Sequence, residues 1–322
     1  MKTRKLGRHG VGAIGFGAMS FGGMFGTTDE ATSLATLDAA WDAGITHFDT
    51  ANIYGMGLSE TVIGRWLKTR GHAPVIATKA SIVDGTPRRI DNSDAHLRSE
   101  LEASLRRLGR DHVELFYIHR REAGRPLEEV IGTLSRLIEE GKIGGYGLSE
   151  IAPSTLRLAH EIHPCMAVQN EYSLWSRQPE LGLIQACAEL GTTFVAFSPL
   201  ARGMLGDTPL PLPTDGFRAR NPRFTEPAFS RNTAKIDAFR VFCRERGWAT
   251  AATALAWTLQ QGDHILPIPG TRSAAHLSEW LAAERISLGA DDLAAISRLL
   301  PAGFAEGDRY GDHQLPGVER YC

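Results

Sequence analysis

Three scarcities narrow the reading of this chain before any motif is considered. Cysteine is scarce: Cys165, Cys187, Cys243 and Cys322 are the only four among 322 residues. No two of them have C-x-x-C or any other spacing typical of a zinc site. They read as buried or free thiols in a reducing compartment, with no metal partner. Long apolar runs are missing, since no stretch approaches the ~20 residues that a membrane helix needs. Met1-Lys2-Thr3-Arg4-Lys5-Leu6-Gly7 is basic but lacks the apolar segment of a signal peptide. A cytoplasmic protein with no membrane partner is therefore expected. Charge of one sign is also missing: 35 basic residues against 37 acidic ones leave a net charge of −2. That argues against nucleic acid as the main partner, because phosphate binding needs a basic face.

What is present suits a folded chain. A hydrophobic share of 43% against 22% charged residues is a globular balance and excludes disorder. A core of this size needs no metal or disulfide staple. The 34 glycines exceed the usual ~7% and point to tight turns or to backbone lying close to a ligand.

Eight short apolar runs recur along the chain: Ala13 to Gly17, Ile45 to Phe48, Val75 to Thr78, Val113 to Ile118, Gly144 to Leu148, Met166 to Gln169, Thr193 to Phe197 and His264 to Ile268. They are apolar nearly throughout, as strands buried on both faces are. Segments of helical period follow them. Thr27 with Glu30 makes a capping box before a face of Leu34, Leu37 and Trp41, and Gly44 is the stop. Leu97, Leu101, Leu105 and Leu108 form a second stripe ending at Gly109. Pro126 suits the first turn of a third, which runs from Leu127 through Val130, Ile131, Leu134, Leu137 and Ile138 to Gly141.

Eight strand–helix units predict an α/β chain folded as a (β/α)8 TIM barrel, read here as one domain over residues 1–322. Residues 1–12 form an N-terminal extension. A long loop lies between strands 7 and 8, and a tail runs from Pro301 to Cys322. A doubly wound open sheet is the rival. It wants G-x-G-x-x-G after the first strand, and Gly15-Phe16-Gly17-Ala18-Met19 does not supply it.

In a TIM barrel the active site lies at the C-terminal ends of the strands. Asp49-Thr50-Ala51-Asn52-Ile53-Tyr54, Lys79, His119, Ser149, Gln169 and Thr271-Arg272 are the groups that those ends deliver. Asp49, Tyr54, Lys79 and His119 form a set with a common chemistry. A lysine beside a tyrosine lowers the phenol pKa from about 10, and an aspartate keeps that lysine fixed. A histidine orients a carbonyl oxygen. Tyr54 would then give a proton to that oxygen as a hydride reaches the carbon.

The motifs resemble those of the aldo-keto reductase superfamily over essentially the whole chain. The matching residues are Phe48-Asp49-Thr50-Ala51-Asn52-Ile53-Tyr54-Gly55, Thr78-Lys79, His119, Gly147-Leu148-Ser149, Gln169-Asn170-Glu171-Tyr172-Ser173-Leu174, Phe197-Ser198-Pro199-Leu200 and Ile268-Pro269-Gly270-Thr271. The resemblance is closest to bacterial members acting on assorted aldehydes and ketones. It implies a barrel that binds NADPH or NADP+ without a Rossmann domain. By the same resemblance Tyr54 is the general acid, supported by Asp49, Lys79 and His119. Ser149 and Gln169 hold the nicotinamide carboxamide, and Phe197 stacks on its ring. Ser198, Leu200 and Arg202 match the pyrophosphate-binding stretch, with Gly270, Thr271, Arg272 and Glu279 at the phosphate and adenosine end.

Three positions depart from the family pattern. Glu150 stands where an asparagine often follows the serine, and a carboxylate cannot donate the amide's hydrogen bond. His276 stands where an arginine often meets the 2′-phosphate, and a neutral imidazole binds phosphate less well. Trp280 replaces an adenine-contacting asparagine and would stack on that site or block it. NADPH is favoured, with NADH as the alternative.

Specificity is expected in the loops after strands 1, 4 and 7 and in the tail. Met24, Phe25, Arg120, Trp175, Phe224 and Tyr310 are candidate walls for a small aldehyde or ketone. Arg120 and Arg121 read either as a salt-bridged pair or as a mouth that accepts anions. Arg218, Arg220, Arg223 and Arg231 are candidates to clasp cofactor phosphates. Two other functions compete with this reading. One is an NADP(H)-binding regulatory subunit with little turnover, like potassium-channel β subunits. The other is a barrel hydrolase using Asp49, Glu150 and Glu171, which leaves Lys79 and Tyr54 without a role.

Overall fold

The computed structural model describes residues 1–85 and 89–321. Eight parallel strands pair in chain order: Phe16–Gly17, His47–Asp49, Val75–Ala80, Leu115–Ile118, Tyr146–Ser149, Ala167–Glu171, Thr193–Phe197 and Ile265–Ile268. The ring closes between its first and eighth strands. Gly15 N–H donates to Pro267 O and Gly17 N–H donates to Pro269 O, both at 2.9 Å. The result is the (β/α)8 barrel expected from the sequence, and the open-sheet rival is set aside.

Several strands begin two or three residues later than their apolar runs. Ala13, Ile14 and Ile45 are buried at the barrel floor before pairing starts, and Val113, also buried, makes only an isolated bridge to Ile143. Burial there extends below the hydrogen-bonded ladder, so hydrophobicity alone misplaces the boundary.

Closure depends on the absence of side chains at one seam. A Cβ on Gly17 would sit 2.8 Å from Ile268 O, and one on Gly270 would press into Gly17 O. Gly270→Ala is therefore expected to destabilise the fold by about 1–3 kcal/mol through overpacking. A thermal melt of the variant with an unchanged Tm would remove this account of the glycine.

The core has two layers. A large cluster lies between barrel and helices. A smaller one fills the barrel interior with Ala77, Leu115, Tyr117, Ala167, Val195, Leu266 and Ile268. Residues 1–12 form a hairpin, Thr3–Leu6 with His9–Gly12, whose Leu6 and Val11 plug that interior from below.

The helical stripes hold. Leu97, Leu101, Leu105 and Leu108 are all buried on Asp94–Leu108, and Gly109 caps that helix at φ 65°. One start signal does not hold. The helix Glu30–Asp42 is capped by Asp29, whose carboxylate accepts from Thr32 N–H at 2.7 Å, and not by a Thr27–Glu30 box. An ionised carboxylate at that position is as good a cap as a hydroxyl. Pro126 is the N-cap of Leu127–Glu139 rather than its first residue.

Cys165, Cys187 and Cys243 are buried and free; Cys322 lies outside the described residues. Among the described residues no helix is long and apolar enough to cross a membrane.

Candidate functional site

A cavity of about 640 Å³ opens at the C-terminal ends of the strands, a volume typical of small-molecule sites. Asp49, Ser149 and Gln169 from three strand ends line its base. The loop after the seventh strand and the tail, through Tyr310 and Gln314, form walls. Backbone strain concentrates at the same end. Among the described residues the positive-φ residues other than glycine are Met56, Ser81, Glu150, Ser198, Ala201 and Arg202, with φ between 49° and 140°. Ser81, Glu150 and Ser198 directly follow the third, fifth and seventh strands. Such strain persists only where surrounding structure imposes it, and it gathers at functional sites.

The four sequence-predicted catalytic residues come together. Lys79 is fully buried beneath the cavity floor; its ammonium pairs with Asp49 Oδ1 and donates to Thr50 O at 2.7 Å. Gln169 Nε2 donates to the other Asp49 oxygen at 2.8 Å. Lys79 Nζ lies 5.1 Å from the centre of the Tyr54 ring. The Tyr54 and His119 rings meet edge to face with centroids 5.9 Å apart. Tyr54 and His119 line the cavity, and Lys79 stands behind them.

The phenol of Tyr54 is not acidified below its ordinary value, as the sequence had suggested. Burial pushes its pKa up. Lys79 and then Arg120 oppose that shift, Asp49 reinforces it, and the net direction is upward. Desolvation of the phenolate outweighs the cations. The proton therefore stays on Tyr54, as a proton donor requires.

Beside this set lies a second buried group of charges that spans distant parts of the chain. Arg309 Nη2 donates to Glu150 Oε2 at 2.6 Å, and Arg309 Nη1 approaches Glu171 Oε2 at 3.3 Å. Arg202 Nη2 donates to Glu171 Oε2 at 3.0 Å. Burial alone would raise the Glu171 carboxyl, but Arg202, Arg309 and Arg223 hold it down to about 2. Glu150 is likewise held below the ordinary carboxylate range, mainly by Arg309 against burial. The cluster ties the tail to the fifth and sixth strands and to the loop after the seventh. It also settles the position of Glu150, which faces Arg309 and does not line the cavity. Glu171 is engaged in the same way, so neither carboxylate is presented for hydrolysis.

At the other side of the cavity, cations converge. Arg218 and Arg272 line it and pair with no carboxylate among the described residues. Arg218 donates to Arg202 O at 2.8 Å and stacks on Phe25, and Arg272 donates to Thr27 O at 3.0 Å. Burial, then Arg272 and Arg202, lower the Arg218 pKa. Like charges held toward one cavity fit a polyanionic ligand.

Most of the remaining candidates also line the cavity: Met24, Phe25, Arg120, Phe197, Ser198, Leu200, Arg202, Gly270, Thr271, His276, Glu279, Trp280 and Tyr310. Trp280 is 2% exposed and packed into the wall, not free to swing over the site. Two candidates are corrected. Trp175 and Phe224 pack against each other in the core, with tilted rings 5.9 Å apart, away from the cavity. Of the four loop arginines only Arg218 reaches the cavity. Arg223 is buried on Trp175 O, Ser176 and Gly307 O, and Arg231 pairs with Glu306 at the surface. Aromatic and basic residues in one loop look alike in sequence, and packing separates them.

Arg309 and Gln314 were missed. Arg309 acts on residues 159 and 138 positions away, and no local pattern marks it. The paired glutamates directly after Ser149 and Asn170 were the available signal.

A family model described as the aldo/keto reductase family matches residues 13–301. The chain is 37% identical over 314 residues to a probable aldo-keto reductase 1 from Glycine max, covering 95% of this chain and 91% of that one. It is 36% identical over 298 residues to an NADP(+) aldo-keto reductase, yakc, from Schizosaccharomyces pombe, covering 89% and 87%. Among solved structures, the glycerol dehydrogenase AKR11B4 from Gluconobacter oxydans superposes with a TM-score of 0.84 at 27% identity over 92% of this chain and 94% of that one. An aldo/keto reductase from Klebsiella pneumoniae in complex with NADP and acetate does so with a TM-score of 0.75 at 26% identity over 96% and 99%. A barrel with this mouth, matched over nearly its whole length, belongs to the aldo/keto reductase family.

Proposed function

We propose that this protein is an NADP(H)-dependent reductase of aldehydes or ketones in which Tyr54 is the general acid. The observation that carries the reading is the Tyr54–Lys79–Asp49–His119 group beside a cation-lined cavity. The residues present fit the cofactor. Arg218 and Arg272 would hold its phosphates and Phe197 would stack on its nicotinamide, with Ser149 and Gln169 near the carboxamide. Ser198, Leu200, Arg202, Gly270 and Thr271 would follow the pyrophosphate, and His276, Glu279 and Trp280 would border the adenosine. The NADP-linked relatives support the same choice. When bound, the cofactor supplies a hydride to the carbonyl carbon.

The protein's own part is proton transfer and positioning. His119, at the cavity edge, orients the carbonyl oxygen. Tyr54 donates its proton to that oxygen as negative charge develops there. Lys79 sits over the ring and stabilises the phenolate left behind, and Asp49 fixes Lys79.

Initial rates of NADPH and NADH oxidation with a panel of aldehydes and ketones test the reading. Alcohol should form in step with NADPH consumed, and NADPH should exceed NADH in kcat/KM. Cofactor binding without turnover across the panel would point instead to a regulatory NADP(H)-binding role.

Lys79→Met gives a sharper check. Removing the cation that lowers the Tyr54 pKa raises that pKa further above 10. The alkaline limb of the kcat profile should therefore move to higher pH, while kcat itself falls by roughly a hundredfold or more. An unmoved limb with near-normal kcat would refute the role given to Lys79.

A further inference from the structure

Deepening the reductase reading, on which this rests, we propose that the natural substrate is an aldehyde or ketone carrying a carboxylate, and that Arg120 holds that carboxylate. Arg120 follows His119 and lines the same cavity as Tyr54. Its guanidinium donates to His119 O at 2.6 Å, to Ser149 Oγ at 3.3 Å and to Tyr310 Oη at 3.4 Å. All three acceptors are neutral. Burial and then Glu150 push the Tyr310 phenol up to about 12, so it does not supply an anion near neutral pH. No carboxylate pairs with Arg120 among the described residues.

The nearby carboxylates make their direct hydrogen bonds elsewhere, and Arg120 acts on Glu150 only at a distance. Glu150 takes Arg309 on both oxygens, at 3.2 and 2.6 Å, and the Glu171 N–H at 2.9 Å. Glu171 takes Ser176 on one oxygen and Arg202 with Arg309 on the other. Arg121, the next residue, is paired with Glu319 at 2.7 Å. The Arg120–Arg121 dipeptide thus divides: Arg121 ties down the tail, and Arg120 turns an unpaired charge toward the cavity.

Position separates this charge from those suited to the cofactor. Arg120 follows the fourth strand, whereas Arg218 and Arg272 follow the seventh and eighth. In a closed ring of eight, the fourth and eighth strands stand opposite each other. Arg120 thus departs from the strand that stands across the ring from the one before Arg272, on the His119 side. Among the described residues the one hydrogen bond of Nη2 is the long contact to Tyr310, over whose ring the guanidinium lies at 5.9 Å, which leaves an N–H for a ligand. A single planar guanidinium matches a single carboxylate.

The test compares 4-carboxybenzaldehyde with its methyl ester, methyl 4-formylbenzoate, at saturating NADPH. The aldehydes are alike and only one carries the charge. The wild type should prefer the acid in kcat/KM. Arg120→Met should lower the acid-to-ester ratio by about tenfold or more, chiefly through KM for the acid, and Arg120→Lys should restore part of it. A ratio unchanged in Arg120→Met, or a wild type that prefers the ester, overturns the proposal while leaving the reductase reading intact. Absence of turnover with either aldehyde counts against the reductase reading. Calorimetric titration of the NADP-loaded protein with benzoate and with benzamide then decides the anion site. A benzoate preference lost in Arg120→Met supports it, and equal binding of the two refutes it.

Discussion

Replacing Tyr54 with phenylalanine is expected to lower kcat for carbonyl reduction by roughly 10²–10⁴-fold, the usual worth of a positioned general acid, while the Kd for NADPH changes by less than about threefold. The substitution deletes one hydroxyl and keeps the ring. The edge-to-face contact with His119 at 5.9 Å and the seat beneath Lys79 at 5.1 Å both survive. The Lys79–Asp49 pair, held also by Thr50 O and Gln169, does not depend on the phenol. What disappears is the proton that meets developing charge on the substrate oxygen. An interaction made only in the transition state reduces kcat and kcat/KM together. Single-turnover rates and fluorescence titration with NADPH separate the two effects. If binding weakened as much as turnover, Tyr54 would be a structural residue and the acid would lie elsewhere.

The second large effect concerns stability. Arg309→Met should cost about 3–5 kcal/mol, the usual penalty for leaving a buried charge without its partner, and lower Tm by roughly 5–10 °C. Glu150 and Glu171 are 1% and 3% exposed, and Arg309 contacts both. Arg202 would still serve Glu171, but Glu150 would lose its only direct guanidinium partner among the described residues. Adding Glu150→Gln to the variant should recover part of the loss, because it removes the stranded charge. A single variant that melts within about 1 °C of wild type would show that the cluster contributes nothing. The same cluster has a pH signature. Both carboxyls are held below their unfolded values, so their stabilisation is complete above the unfolded pKa near 4.3. It is lost as pH falls toward about 2, where Glu171 protonates. In Arg309→Met this acid-dependent part of the stability should shrink.

The proposed catalytic group was legible because three of its members, Asp49, Lys79 and His119, sit at the ends of apolar runs. A strand buried on both faces leaves little freedom, so a polar residue at its C-terminal end either lines the cavity, as Asp49 does, or is buried beside it, as Glu171 is. That reasoning located Asp49, Lys79, His119, Ser149 and Gln169, and Tyr54 followed one turn later. The pKa direction of Tyr54 was not legible in the same way. Sequence shows that Lys79 is near, but only packing shows how much water the phenolate would lose.

The walls were harder to read. Trp175 and Tyr310 are both aromatic residues in irregular segments, and one lies in the core while the other borders the cavity. Arg120 and Arg121 are adjacent, and only the tail's Glu319 distinguishes their roles.

By itself, the sequence determined the strand–helix alternation, the barrel, and the residues at its strand ends, since these follow from hydrophobic period and from the fixed direction of each strand. Only the tertiary structure decided which loop and tail residues face the cavity and how the charges pair. Those outcomes depend on contacts such as Arg309 with Glu150 and Glu171, made between segments far apart in the chain, whose energies arise from burial and not from local pattern.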